Sequence, residues 1–147
     1  MTADRNKYRT GRHVVFSLQA HIVFVTKYRR GAITGRVREE IINASKEVGS
    51  RLDFSIIEAD GEDDHIHLII DYPPKIALSR IIMVLKTNTS RRVREKNFPE
   101  VEKALWGNHF WSPSYFACST GGASLEKVHK YVQDQRKEPK RPGRPNN

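Results

Sequence analysis

Two histidines separated by one isoleucine, in "GEDDHIHLIIDYPPK" (61–75), are the first side chains here whose types and spacing could do chemistry. Side chains of an extended strand alternate faces, so His65, His67, Ile69 and Asp71 share one face and Ile66, Leu68, Ile70 and Tyr72 the other. The second set reads as core. The first set places two imidazoles on one surface, close enough to hold a divalent ion between them once a third ligand arrives from elsewhere. A second pair, Tyr131 and Gln135 in "VHKYVQDQ", is four residues apart and projects from one face of a helix. A helical tyrosine is most often a packing residue with its hydroxyl at the rim, so its role depends on its surroundings.

The elements that must position these groups follow from hydrophobic period. In "VVFSLQAHIVFVTKY", Phe16, Leu18, Ala20, Ile22 and Phe24 alternate with Ser17, Gln19 and His21, which predicts a half-buried strand. "GRVREEIINASKEVGSRL" puts Val37, Ile41, Ala44, Val48 and Leu52 at helical spacing. "DFSIIEAD" predicts a second strand, "GEDD" a turn and "HIHLIIDY" a third strand, giving a hairpin whose second arm carries the histidines. "PPKIALSRIIMVLKTNTSRRVREK" predicts a helix with Leu78, Ile81, Ile82 and Leu85 inward and a basic end. "HFWSPSYFACST" predicts a fourth strand. After Gly121 and Gly122, "ASLEKVHKYVQDQRK" predicts a last helix with Leu125, Val128 and Val132 toward the core. Strand, helix, strand, strand, helix, strand and an added helix make an α+β fold of the ferredoxin-like (RRM-like) kind. Its antiparallel sheet has helices on one face, leaving the other for a ligand, and the added C-terminal helix carries the tyrosine.

A chain of 147 residues with 37% apolar content fits one domain, expected over 1–137. The Pro- and Arg-rich tail, 138–147, has almost no apolar residue to offset ordering entropy and is expected to be disordered. No apolar run reaches bilayer length and no secretion signal is visible, so no membrane partner is expected and the expected location is the cytoplasm. The lone Cys118 excludes an internal disulfide and is expected to be a small buried residue. Twenty-six Lys and Arg against seventeen Asp and Glu give a formal charge of +9, spread along the chain. That balance favours phosphate-rich partners over a merely solubilising surface.

These features together resemble the single-tyrosine HUH transposases of bacterial insertion sequences, the TnpA type of the IS200-like superfamily. Five stretches look like that family in the right order: "HIVFVTKYRR", "DHIHLII", "LKTNTSRR", "LWGNHFWSPSYFACSTGG" and "VHKYVQDQ". One departure, "STGGAS" where the family often carries valine before glycine, concerns packing. The resemblance implies a DNA transposase in which Tyr131 attacks single-stranded DNA at element ends, stays joined to the 5′ phosphate and frees a 3′ hydroxyl. A phosphotyrosine ester conserves the bond energy, so rejoining needs no ATP. A phenol with a pKa of about 10 is a poor nucleophile near neutrality, so metal assistance is expected. His65 and His67 are the expected ligands, and the resemblance adds Gln135 as a third. Imidazoles suit Mn²⁺ and cellular abundance favours Mg²⁺, so the ion is either. The implied partners are single-stranded DNA with hairpin ends, at the nucleoid, and a second copy of the chain. In that homodimer the composite sites pair the histidines of one subunit with the tyrosine of the other.

Neighbouring residues have plainer readings. Asp63 and Asp64 are turn formers, with a carboxylate able to orient an imidazole. His21, His109 and His129 are expected to be structural or to contact DNA, and Trp106, Phe110 and Trp111 to be core. Lys86, Arg91 and Arg92 would be solvated charges in most proteins and are here candidate phosphate contacts. Two alternatives remain. One is an HUH nuclease, a domesticated transposase acting on chromosomal repeats. The other is a non-catalytic RRM-like nucleic-acid-binding module, which calls for exposed aromatics where this chain has histidines.

Overall fold

The computed structural model describes residues 8–105, 107, 109–119 and 130–134. β1 (Arg9–Thr10) and β2 (Val15–Phe16) pair as a small antiparallel hairpin that the sequence pattern does not announce. β3 (Gln19–Val25) is followed by a tight turn at Lys27–Arg29, α1 (Gly35–Leu52), β4 (Ser55–Glu62), β5 (His65–Asp71), α2 (Leu78–Glu95), α3 (Pro99–Ala104) and β6 (Phe116–Ser119). Residues 130–134 are helical. Gly121, Gly122, Leu125, Val128, His129, Gln135 and the tail lie outside the described residues.

The main sheet has the order β4-β5-β3-β6, and each neighbouring pair is antiparallel. α1 begins where the Thr34 hydroxyl accepts from the Val37 N–H, at 3.5 Å, and buries Val37, Ile41, Ala44 and Val48 as its period requires. α2 buries Ile81, Ile82, Leu85 and Val93. Residues of both helices form one core with Ala20, Ile22 and Phe24 of β3 and Ile66, Leu68 and Ile70 of β5. The last three have no exposed surface. At about 1.5–3 kcal/mol per fully buried side chain, they fix which face of β5 points inward, and a slip of one residue would bury the imidazoles instead. No helix among the described residues is long and apolar enough to cross a membrane.

Four expectations need correction. The second face of the sheet is not simply open: Val23 and Val25 are fully buried there, beneath Val132 and beside Phe116 and Tyr131. The fourth strand is only β6, because Pro113 has no N–H to give a ladder; Trp111 instead makes an isolated bridge to Thr26. Pro99 opens the short α3, which no periodicity marks. Finally, the hairpin turn is Asp63 and Asp64 alone, since Gly61 pairs with Ile66 and Glu62 with His65.

Gly61 is needed for that pairing. Its φ is +155°, and an added Cβ would sit 2.3 Å from the His65 carbonyl oxygen and 3.0 Å from Ile66 Cα. Both are backbone atoms of β5, which cannot swing aside. Gly61→Ala is expected to destabilise the protein by about 2–3 kcal/mol, read from urea melts, by straining the start of the histidine strand. Wild-type stability would show that the hairpin relaxes around the new methyl group.

Candidate active site on the histidine face

The histidine face is set by a one-residue irregularity in β4. Ser55 and Ile56 pair with Asp71 and Ile70, but after a register shift Glu58 pairs with Ile69, Asp60 with His67 and Glu62 with His65. A bulge at Ile57 therefore turns Glu58, Asp60 and Glu62 onto the face of the imidazoles. Without it they would point into the core. The sequence signal is two adjacent isoleucines followed by strict alternation of Glu58, Asp60 and Glu62 with Ala59 and Gly61.

His65 is oriented by Asp64. Its Nδ1 lies 2.9 Å from Asp64 Oδ1, and the other Asp64 oxygen accepts from Arg29 Nε. Asp64 is only 6% exposed. Burial pushes its carboxyl up, but the hydrogen bonds from Arg29 and His65 and the Arg29 charge outweigh this and hold it below the ordinary carboxylate range. A carboxylate accepting from Nδ1 leaves the Nε2 lone pair of His65 available to a ligand. Arg29 reaches this carboxylate from a turn in which both Tyr28 and Arg29 have positive φ, 56° and 55°. The turn is closed by Thr26, whose hydroxyl donates to the Arg30 carbonyl at 2.6 Å and whose N–H donates to the Asp64 carbonyl. Asp64 is thus more than a turn former. Asp64→Asn would leave the Arg29 charge without its counter-ion, and we expect a loss of about 3 kcal/mol by chemical denaturation. A loss under 1 kcal/mol would show that solvent reaches Arg29.

His67 is engaged differently. Its Nε2 lies 2.7 Å from His21 Nδ1, with the two rings stacked at 4.9 Å. Burial and then the nearby His21 push the His67 imidazole below its ordinary value, against the opposing pull of Glu58 and Asp60. His21 is therefore a member of the site, as a partner of His67. Cys118, its cross-strand neighbour in β6, is partly exposed rather than buried.

Ligand atoms of Glu62, Asp64 and His65 all lie within 4.8 Å of one another. An oxygen-rich set with one imidazole suits Mg²⁺ or Mn²⁺. Because Asp64 already accepts from Arg29 and His65, the donors best placed to face an ion are Glu62 and His65. Sequence reading passed over Glu62, which only the two-residue turn brings opposite His65. His67 lies outside this cluster, two residues along the same face, and Gln135 is outside the described residues.

Tyr131 lies on the same side of the sheet. Val25 and Val23 are the cross-strand partners of His65 and His67, so they share their face. The terminal helical segment packs on these two valines through Val132 and Tyr131, which brings the tyrosine to the face of the histidines within one chain. Its ring rests against Phe116, at 5.6 Å, and its hydroxyl lies 2.9 Å from Ser114 Oγ.

The three candidate phosphate contacts separate. Lys86 Nζ donates to the carbonyls of Ser112, at 2.7 Å, and Ser114, at 3.4 Å; burial holds its ammonium below the ordinary lysine range. Arg92 pairs with Glu40 and Glu47 of α1. Arg91 is exposed and donates to Asn88. Phe110 and Trp111 are core, as expected.

Comparison with known proteins gives the family of the chain. The family described as IS200-like transposases matches residues 14–135. The chain is 25% identical over 127 residues to the ISDra2 transposase TnpA of Deinococcus radiodurans, covering 86% of this chain and 90% of that protein. It is 30% identical over 128 residues to the transposase of insertion sequence element IS200 from Salmonella typhimurium, covering 87% and 83%. Its fold matches a Deinococcus radiodurans R1 crystal structure assigned as a transposase, with a TM-score of 0.77 and 22% identity over 86% of this chain and 97% of that one. It also matches a REP-associated tyrosine transposase solved on a REP hairpin, with a TM-score of 0.53 and 14% identity over 90% and 68%. With the family matched across most of its length, this chain belongs to the IS200-like transposases, enzymes of DNA cleavage and transfer.

Proposed function

We propose that this transposase cuts and rejoins single-stranded DNA at insertion-sequence ends, with Tyr131 as nucleophile. The observation that carries the reading is the packing of Tyr131 over Val23 and Val25, the strand partners of His67 and His65. In the forward step Tyr131 Oη bonds to phosphorus as the P–O3′ bond breaks. The phenolic proton leaves, and the departing 3′ oxygen takes up a proton to become a free hydroxyl. The reverse attack by another 3′ hydroxyl releases the tyrosine and seals a new junction.

His65, His67, Glu62 and Gln135 are the proposed holders of Mg²⁺ or Mn²⁺. When bound, the ion polarises the phosphate and offsets the charge that develops on its oxygens. Asp64 engages His65 through Nδ1, which leaves Nε2 for the ion. Arg91 is the proposed phosphate contact on α2, with Arg92 nearby. The strand order supports a ferredoxin-like sheet with the tyrosine helix added, forming one domain to about residue 137 with a basic tail. The implied substrate is DNA with hairpin ends, in the cytoplasm at the nucleoid, and the active form is a homodimer.

The test is covalent trapping. Labelled single-stranded DNA carrying element ends, incubated with the protein and Mg²⁺ or Mn²⁺, should give a protein–DNA adduct on a denaturing gel, and fully paired duplex should not. Equal cleavage of the duplex would overturn the single-strand reading. The second reading, action on chromosomal repeats, draws on the fold relative solved on a REP hairpin. Trapping on repeat hairpins in preference to element ends would favour it.

A further inference from the structure

Ser112, Pro113 and Ser114 form a short segment held from two sides. The Ser112 N–H donates to the Val25 carbonyl at 2.7 Å, and Ser112 is 1% exposed. Lys86, reaching across from α2, donates to the carbonyls on both sides of Pro113, those of Ser112 and Ser114. Pro113 itself has a restricted φ and cannot open an alternative ladder. The outcome is that the backbone carrying Ser114 is held, and its exposed hydroxyl lies 3.4 Å from Ser112 Oγ and 2.9 Å from the Tyr131 hydroxyl. A half-buried cation spent on two backbone carbonyls is an odd use of a lysine in a chain that handles DNA. It is understandable if the segment it secures must stay in register with the tyrosine.

We propose that Ser114 is a positioning residue for the Tyr131 hydroxyl and that Lys86 acts through it, by clamping the segment that carries it. The proposal rests on Tyr131 being the nucleophile. Oη sits at the end of a long side chain on a helical segment secured to the sheet by a small apolar cluster, so small tilts of that segment carry the oxygen with them. A hydrogen bond between this oxygen and a hydroxyl on a clamped segment limits that motion, and displacements of about 1 Å at a reacting atom are enough to slow a reaction by up to about 100-fold. Threonine keeps the hydroxyl and alanine removes it, so the role can be separated from packing.

The experiment uses the full-length protein with ¹³Cζ-labelled tyrosine, and single-stranded DNA bearing element ends as the probe. The Tyr131 resonance is identified by its loss in Tyr131→Phe. We expect Ser114→Ala to shift that resonance and slow single-turnover adduct formation about tenfold with little change in DNA affinity, and Ser114→Thr to restore both. Lys86→Met should shift the same resonance and slow the same step, and combined with Ser114→Ala it should add little to the slowing. An unchanged resonance in Ser114→Ala, or a shifted resonance with an unchanged rate, overturns the inference while leaving the nucleophile assignment intact, provided Tyr131→Phe forms no adduct. An adduct that persists in Tyr131→Phe overturns the nucleophile assignment, and this inference with it. Should Lys86→Met fail to fold, the Ser114 pair decides alone.

Discussion

Tyr131→Phe is expected to form no covalent adduct with single-stranded DNA while still binding it, a loss of at least about 10⁴-fold in adduct formation. The substitution is mild for the fold. The ring keeps its packing on Phe116 and its place beside Val23, Val25 and Val132, and the hydroxyl contact with Ser114 is lost. A single hydrogen bond of this kind contributes about 1 kcal/mol, far too little to release the segment from the sheet. The chemical loss is complete by contrast, because carbon has no lone pair with which to attack phosphorus. Gel shift measures binding and a denaturing gel measures the adduct on the same samples. A persistent adduct would move the role to another phenol, with Tyr115, 42% exposed, tested first and Tyr28 second.

What the sequence discloses and what it hides divide along physical lines. The inward faces of α1, α2, β3 and β5 are legible because burial of Val37, Ile41, Ile81, Ile66 and Leu68 imposes a period that any reader can count. His65 and His67 stand out for the same reason, as polar residues in a strand otherwise committed to burial. Glu62 does not, because its place opposite His65 depends on the two-residue turn and on the bulge at Ile57, and bulges shift parity without changing composition. His21 and Ser114 stay hidden because their partners, His67 and Tyr131, are 46 and 17 residues away in the chain. Lys86 is only partly legible for a related reason. A lysine on a basic helix reads as solvated, and only the tertiary fold shows its ammonium against two carbonyls. The Val23 and Val25 pair was visible as apolar but not as buried, since what covers it comes from the far end of the chain.

That covering segment also frames the last prediction, which asks whose histidines the tyrosine serves. In one chain the segment lies over its own Val23 and Val25. If two chains exchange these segments, each pair of valines is covered by the partner's copy, so the apolar contact is conserved and the exchange costs little beyond the linkage between the halves. Mixing two inactive proteins distinguishes the arrangements. A dimer of Tyr131→Phe with His65→Ala contains one intact site if the segments are exchanged, built from the histidines of the first chain and the tyrosine of the second. If each chain serves itself, both sites are broken. Co-expression is expected to recover roughly a quarter of the wild-type adduct, because random pairing makes about half of the dimers mixed and each mixed dimer keeps one site of two. The adduct should sit only on the His65→Ala chain, the one that retains Tyr131, and differently sized tags on the two chains read this from one gel. An inactive mixture, with mixed dimers demonstrated by pull-down, would exclude the exchange and make the contact of Tyr131 with its own histidine face the working geometry.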